Sequence, residues 1–513
     1  MTRFTAALRW DVRLQLRNGF YYAAAFIVVI LILVVGLLGL PAEAVAFMLP
    51  LIILQNVTIN TFYFLAGLVL LEKGEGTLEA LIVSPLRVRE YLGSKLATLV
   101  TLCIFENVAL VLVLYGPAAN LALLVLAVVL LGIFMALAGF IVVARYESIN
   151  TFLFPSVVVT VALTIPLLDY LGMWQSWLIY LHPIQGPLLL LSGVFSPIAA
   201  WQLVYGLLSA LLWIALAYGY SQRTFYRFVV RKEGTRMFAS RRNIGHTTSA
   251  PRGEMRRQTA AKSIPSEPIY VRVLKALGPI DLRNIWRDTL LLWMALMPFV
   301  FALLFRYLIP WVRESLLAQF GFDLAPYYVL LMSYAFVVGI PVLFGVVIGF
   351  LLLDERDDHT LTALQVTPMS LNNYLAYRVS LPMLVSAVLT VVTYPIAGML
   401  PLPILAITAI AIVAAPLAPI FALVLAAFAQ NKVQGFAVMK GLGGILMIPL
   451  VAYFVDSGWQ WIFGLIPTFW PLKLYWITEA GQPGVLFVCS MGLVVQFGLL
   501  WLLARRFNII MHR

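Results

Sequence analysis

The sequence predicts an all-α polytopic membrane protein of about twelve transmembrane helices, arranged as two parallel six-helix repeats with amphipathic helices on the cytoplasmic side. Three observations predict this class. The 513 residues are 63% hydrophobic and only 11% charged, whereas soluble domains average about 25% charged residues, so lipid has to be the main solvent. Twelve apolar runs are long enough to span a bilayer, and one 24-residue block occurs twice.

Six runs of about 20 mostly apolar residues, the length of one bilayer crossing, lie in each half of the chain. They are predicted at 20–40, 47–71, 96–115, 120–143, 151–170 and 200–221, and then at 289–310, 328–353, 379–399, 404–429, 435–455 and 484–504. We therefore expect a first half over 1–222, a basic cytoplasmic linker over 223–272 and a second half over 273–513.

The positions of Lys and Arg predict the orientation, because cytoplasmic loops carry an excess of both. The first half has no Lys or Arg over 18–72, 96–144 and 146–222, so with six alternating spans its basic residues share one side. That side is the cytoplasm, and both termini lie there. The second half is less regular, since Arg306, Arg313 and Lys473 would lie at the outer face. An even number of spans per half makes the repeat parallel.

The net charge of +12 does not indicate a nucleic-acid partner, because the basic residues lie between apolar runs. Many of them lie in the linker, which suits a solvated segment against an anionic leaflet; a regulatory or docking role is the alternative. Cys103 and Cys489 both lie in apolar runs and predict no disulfide framework.

The repeated block begins at Glu72 in the first half and again at Glu355 in the second, and nine of its positions are identical. Unrelated segments would share roughly one or two. In the first copy Leu78 and Leu81 share a helical face, while Pro85 ends the helix. The block therefore predicts a short amphipathic cytoplasmic helix in each half, near 75–83 and near 358–366, placed to pass force from a soluble partner to the spans.

A second amphipathic helix, on the inner membrane surface, is predicted over residues 3–17, although Asp11 and Gln15 interrupt its apolar face. An ordinary juxtamembrane basic flank is the alternative. Two Pro-broken segments with many aromatic residues, 182–188 and 466–472, are predicted as re-entrant or interfacial hairpins at the outer face. They could cap an outward gate, or they could be aromatic anchors at the headgroup level.

The chain has no Gly-x-x-x-x-Gly-Lys-Ser/Thr phosphate loop, so we do not expect it to bind ATP by that route. The acidic run that ends at His359 could suggest a metal site. Its counterpart in the first copy of the block lacks most of those ligands, and no metal is predicted.

The pattern Glu-x-x-x-Gly-Thr-Leu-Glu-x-Leu-x-x-x-Pro at 72–85, followed by Lys95, resembles the intracellular loop of type-2 ABC exporter permeases. The resemblance covers the whole chain as two fused six-span permease halves. The stretch Leu-Arg-Trp-Asp-Val-Arg-Leu-Gln-Leu-Arg-Asn-Gly-Phe-Tyr-Tyr over 8–22 is also similar to bacterial antibiotic export permeases, including fluoroquinolone-type systems.

This resemblance implies a transport subunit that is not itself an enzyme. It would export hydrophobic or amphipathic small molecules (drug, antibiotic or lipid-like) across the bacterial inner membrane by alternating access. The stretches 3–17 and 274–288 would be connecting helices. The stretches 75–83 and 358–366 would be coupling helices that dock on two separate ABC ATPase subunits, a homodimer, which would bind ATP and Mg. The residues implied in coupling are Glu72, Glu75, Thr77, Leu78, Glu79, Leu81, Pro85, Glu355, Asp358, Thr360, Leu361, Leu364 and Pro368.

Four polar residues inside predicted spans are candidates for the substrate pathway. Asn56 and Asn60 lie in the second span, which the resemblance implies lines the pathway. Glu106 and Lys440 are intramembrane charges without a charged counterpart in the other half, which indicates function. Hydrogen bonding between helices is the alternative for the amides, while Glu106 could simply be protonated or paired and Lys440 could snorkel.

A major-facilitator secondary transporter also has twelve spans, two parallel repeats and a basic central loop, and it is the main alternative. Such transporters usually carry a short Gly-x-x-x-Asp-x-x-Gly-Arg loop between spans two and three, which this chain lacks. An intramembrane lipid-modifying enzyme would need a cluster of acids or histidines at one membrane face.

Overall fold

The structure is a computed structural model that describes residues 3–77, 87–230, 289–357, 371–455 and 457–511. Within these ranges all regular structure is helical and there is no strand. Eleven helices in the described ranges are long and apolar enough to cross a membrane, and Thr151–Leu163 is a shorter apolar helix. The predicted class, an all-α polytopic membrane protein, is confirmed.

In the described part of each half, six apolar helices are accompanied by one short helix of 8 to 11 residues near the last of them. In the first half these follow a surface helix, and the bounds are α1 Arg3–Arg17, α2 Phe20–Leu37, α3 Ala42–Gly74, α4 Val88–Leu114, α5 Leu121–Val143, α6 Ile149–Leu163, α7 Gln185–Ser192 and α8 Ala200–Thr224. In the second half they are α9 Thr289–Phe320, α10 Ala325–Arg356, α11 Leu371–Ala397, α12 Ile404–Phe428, α13 Lys432–Tyr453, α14 Phe469–Glu479 and α15 Val485–Met511. We call the end of the bundle at which α1 lies the inner end, and the opposite end the outer end.

The fifth span differs most from its prediction. We expect one helix over 151–170, whereas α6 ends at Leu163 and a separate turn covers Leu167–Tyr170. Pro166 lies at the break, and a proline has no N–H to continue the hydrogen-bond ladder of a helix.

The predicted N-terminal helix is present as α1, and it lies against the start of α4. Gly19, with φ of 80°, turns the chain from α1 into the first span, a conformation that costs glycine little. Asp11 and Gln15, which interrupt the apolar face in sequence, are both buried. Gln15 donates from Nε2 to Thr98 Oγ1 at 2.7 Å, so the polar positions of this face are matched by polar groups on α4.

The two halves meet along a contact of α2 and α3 with α13. A second contact brings α6 against α9 and α10. Within each half, the second and fourth spans pack on each other: α3 on α5, and α10 on α12. The second span of each half also contains a π-helical turn, at Thr58–Tyr63 in α3 and at Ser333–Val338 in α10.

Both Pro-broken segments lie at the outer end and have the same local structure. In the first half a 3₁₀ turn at Trp177–Leu181 precedes α7, and in the second half a 3₁₀ turn at Gly458–Leu465 precedes α14. His182 fixes the first segment, because its Nε2 bonds to Ala162 O at 3.1 Å and its Nδ1 accepts from Ile184 N at 3.3 Å.

Candidate functional site: a polar cluster between the two halves

All four predicted pathway residues come together in one buried cluster. Glu106 of α4 accepts through Oε2 from the side-chain amides of Asn56 (3.0 Å) and Asn60 of α3. Lys440 of α13 donates to Glu106 Oε1 at 3.0 Å and to Asn60 Oδ1 at 2.6 Å. Each of the four side chains is at most 6% exposed. The cluster therefore joins the second and third spans of the first half to the fifth span of the second half.

The π-helical turn Thr58–Tyr63 of α3 contains Asn60, whose side chain contacts Glu106 of α4 and Lys440 of α13. π-Turns are rare in proteins as a whole. Where they do occur, they often lie at functional sites. Asn60 lies inside this turn and Asn56 just before it, and Asn60 Nδ2 also lies 3.4 Å from Asn56 Oδ1. The two amides that make α3 polar in the sequence, Asn56 and Asn60, therefore form one side of the buried cluster.

One polar residue of the cluster was not singled out from the sequence. Asn107 is fully buried, accepts from Asn56 Nδ2 at 3.4 Å and donates to Cys103 O at 2.8 Å. It follows Glu106 directly in the chain, and an amide next to an intramembrane acid is the signal that could have identified it.

The cluster balances its charges internally. Glu106 and Lys440 form an ion pair of one negative and one positive charge, with side-chain exposures of 4% and 3%. A lone charge inside a bilayer is costly, and pairing with further hydrogen bonds offsets much of that cost. The Lys440 ammonium also lies 5.5 Å from the centre of the Phe64 ring, within cation–π distance. Paired Glu106 was one of the open alternatives, and the structure shows that pairing.

A second buried ion network lies at the inner end. Lys95 of α4 donates to Asp11 of α1 at 2.9 Å and to Glu72 of α3 at 2.6 Å. Tyr91 OH donates to Glu72 Oε2 at 2.5 Å, and Ser94 Oγ donates to Asp11 Oδ2 at 2.5 Å. One lysine therefore connects the surface helix to the second and third spans.

The second half contains a related pair at the same positions of the repeated block. Glu355 corresponds to Glu72 and Arg378 to Lys95, and the two form an ion pair between α10 and α11. An acidic and a basic residue at the two ends of the block therefore hold the second span to the third in both halves.

The structure describes only part of the predicted coupling surface. Glu72 is 6% exposed and makes the internal contacts given above, whereas Glu75 and Thr77 are exposed at the end of α3. Thr77 Oγ1 donates to Glu72 O at 3.1 Å. The residues that lie outside the described ranges are Leu78, Glu79, Leu81, Pro85, Asp358, Thr360, Leu361, Leu364 and Pro368. The connecting stretch 274–288 lies outside them as well.

Among the described residues, no group of three or more His, Cys, Asp or Glu side chains could hold a metal ion. Three basic residues do not fit the predicted excess of Lys and Arg on the cytoplasmic side, and each of them has a polar partner. Arg306 donates to Ile396 O at 3.1 Å, Arg313 pairs with Asp323 at 2.6 Å, and Lys473 donates to Gln460 Oε1 at 2.8 Å.

Comparison with known proteins identifies the class of this chain. A family model described as "Fluoroquinolones export permease protein family" matches residues 2–233, and one described as "Fluoroquinolones export permease protein Rv2686c-like" matches residues 281–504. The fluoroquinolones export permease protein Rv2686c of Mycobacterium tuberculosis is 33% identical over 239 residues, 46% of this chain and 94% of the relative. The protein Rv2687c of the same organism is 33% identical over 237 residues, 46% of this chain and 99% of the relative. No solved structure matches significantly.

The helical bundle and these matches define a multi-pass membrane permease with two permease domains in one chain. The chain belongs to the fluoroquinolones export permease family. The relatives align over nearly their full length with less than half of this chain, so each corresponds to about one domain of it.

Proposed function

We propose that this chain is the membrane subunit of an ATP-driven exporter that moves hydrophobic or amphipathic small molecules out of the cell, and that fluoroquinolone-type antibiotics are the first substrates to test. The observation that carries this proposal is the match of both halves to fluoroquinolone export permeases. In this arrangement the chain occupies the bacterial inner membrane with both termini in the cytoplasm.

The polar cluster supports a substrate pathway between the halves. Alternating access requires the α3–α4 side and the α13 side to change their contacts, and the Glu106–Lys440 pair spans that boundary. A substrate that enters between the halves would exchange hydrogen bonds with Asn56 and Asn60. The Phe64 ring beside Lys440 adds an apolar surface to these polar groups, which favours an amphipathic cargo over an ion or a sugar.

Two separate ATPase subunits would supply the energy, each bound to one copy of the repeated block. The exposed residues Glu75 and Thr77 leave the end of α3 accessible to such a partner. The Lys95 network then gives a path for force, because buried salt bridges join the base of this block to α1 and α4. Because Glu72 is buried, it would act here by positioning the block and not by contacting the ATPase.

Inverted membrane vesicles that contain the chain and its co-expressed ATPase would test the mechanism. We expect ATP to drive accumulation of a fluorescent fluoroquinolone, and an ionophore that collapses ion gradients to leave this accumulation intact. Accumulation that needs an ion gradient and continues without ATP would instead identify a secondary transporter, the main alternative.

The coupling surface has its own test. The Leu78→Asp and Leu361→Asp variants should lose the ATPase during co-purification, because a charge would enter an apolar docking face. Leu78→Met is the matched control, since it keeps size and hydrophobicity. Normal co-purification and transport by both Asp variants would refute the coupling assignment.

A further inference from the structure

A cleft of about 660 Å³ opens at the outer end of the first half, away from the polar cluster. It lies between the turn after α6, the 3₁₀ turn Trp177–Leu181, α7 and the start of α8. Its lining combines aromatic rings with carboxylate and amide groups, among them Asp169, Trp177, Tyr180, Gln185 and Gln202. A small number of polar groups in an otherwise apolar concave surface is typical of a small-molecule site.

One polar group that lines this cleft has an unused hydrogen-bond acceptor. Gln185 is 2% exposed, and its Nε2 donates to Asp169 Oδ2 at 2.8 Å. The other atom of that amide, Oε1, is buried and has no hydrogen-bond partner in the described part of the chain. A buried carbonyl without a donor is destabilising, so a ligand that supplies an N–H or O–H to this oxygen would stabilise the site.

The corresponding place in the second half is filled by aromatic side chains. Aligning the two Pro-broken segments on Pro183 and Pro467 places Phe469 at the position of Gln185 and Trp461 at that of Trp177. Phe469 is fully buried, and its ring centre lies 6.0 Å from that of Trp461. The ring of Phe487 lies 6.0 Å from Trp461 on another side. The open polar cleft is therefore a property of the first half and not of the repeated element.

We propose that this cleft binds an organic ammonium ion with an aromatic or aliphatic body. The ammonium N–H groups would donate to Gln185 Oε1 and to the Asp169 carboxylate, which provides the opposite charge. The rings of Trp177 and Tyr180 would cover the body of the ligand and stabilise the cation through their faces. A neutral ligand would lack the positive charge that complements the Asp169 carboxylate, and an anionic ligand would be repelled by it. This binding site is separate from the central pathway, and it does not depend on the proposed export mechanism.

Three probes separate the contribution of the ligand's charge from that of its N–H donors. Each is titrated into the purified full-length chain in lipid nanodiscs. Protonated 4-phenylpiperidine carries both charge and N–H donors, its N,N-dimethyl derivative carries the charge alone, and 4-phenyltetrahydropyran is the neutral isostere. Calorimetric titration should give an affinity order of secondary ammonium, then quaternary ammonium, then neutral ether. We expect about tenfold between the first and the last, as one charge-assisted hydrogen bond supplies roughly that factor.

Two variants locate the binding. Asp169→Asn keeps an acceptor for Gln185 Nε2 and removes the charge, and Gln185→Leu removes the free acceptor; each should weaken 4-phenylpiperidine binding about tenfold. Asp323→Asn is the matched control, because it removes an exposed carboxylate that pairs with Arg313 outside the cleft. Equal binding of the ammonium and the ether, or equal affinities of the Asp169→Asn and Asp323→Asn variants, would overturn the proposal.

Discussion

The two halves of this permease share an order of helices but distribute their buried polar groups differently. In the alignment set by the repeated block, Asn56 and Asn60 correspond to Gly339 and Leu343, and Glu106 corresponds to Leu389. The first half thus supplies the acid and both of these amides of the central cluster, while the second half supplies its lysine. Each half is incomplete without the other, which means that a dimer of either half alone could not form this site.

The two halves also differ in which helix carries the glycine that lets the second and fourth spans approach closely. In the first half a Cβ on Gly139 of α5 would lie 2.7 Å from Phe62 O in α3. In the second half the glycine is on the other helix, where a Cβ on Gly345 of α10 would lie 2.5 Å from Ala418 O in α12. Gly345 stands at the position that corresponds to Phe62 in the same alignment. The close crossing is therefore kept in both halves, although the residue that permits it has moved.

The largest loss of stability should follow from substitution of Lys95. Lys95→Met leaves the buried carboxylates of Asp11 and Glu72 without their shared cation, and loss of one partner of a buried ion pair costs about 3–5 kcal/mol. Arg378→Met should cost less, because its ion pair with Glu355 is about one-fifth exposed, with side-chain values of 20% and 19%. Thermal unfolding of both variants in the same detergent measures the difference. A larger loss for Arg378→Met would mean that the inner ends do not differ as described.

The central cluster should show strong energetic coupling between the halves. Glu106→Gln and Lys440→Met each leave one buried charge unpaired and should cost about 3 kcal/mol, whereas the double variant should recover about 1–3 kcal/mol of the sum. A double-mutant cycle on unfolding, with fluoroquinolone transport measured on the same proteins, tests both stability and the proposed pathway. Additive costs would contradict the coupling, and unchanged transport in Glu106→Gln would remove Glu106 from the pathway.

The exchanged glycines should be equally sensitive to substitution. Gly139→Ala and Gly345→Ala each place a methyl group against backbone and should cost about 1–3 kcal/mol. Gly219→Ala is the matched control, because that helical glycine has no atom within 4 Å of an added Cβ. It should leave the melting temperature unchanged or raise it. A cost in only one half would show that one of the two crossings can relax.

The smallest effect concerns pH at the outer end. Burial lowers the pKa of His182, and its Nδ1 accepts a hydrogen bond from Ile184 N. Because the folded pKa lies below that of the unfolded chain, this contribution to stability is present at neutral pH and declines as the pH falls through about 6.5. Ile466 occupies the corresponding position in the second half. His182→Gln should therefore reduce the loss of melting temperature between pH 7.5 and 5.5, and an unchanged loss would contradict this assignment.

Much of the architecture could be predicted from the sequence because a bilayer imposes simple requirements. Apolar runs of about 20 residues indicated the spans, and α6 was misjudged only where Pro166 interrupts an otherwise apolar segment. The four intramembrane polar residues were identified because such residues are costly unless they have a role. Their mutual contacts were not predictable, since Lys440 and Glu106 lie in different halves of the chain and no local pattern links them.

The sequence by itself determined the membrane class, the positions of the spans and the polar residues of the site, because hydropathy and charge are local properties. Tertiary structure decided which of those residues contact each other, because hydropathy does not specify which helices pack together. Tertiary structure also explains why Asp11 and Gln15 interrupt an apolar face. Each contacts a polar partner on α4: Asp11 pairs with Lys95, and Gln15 donates to Thr98. The difference between an open cleft and a filled aromatic cluster at the outer end likewise depends on how side chains far apart in the chain fit together.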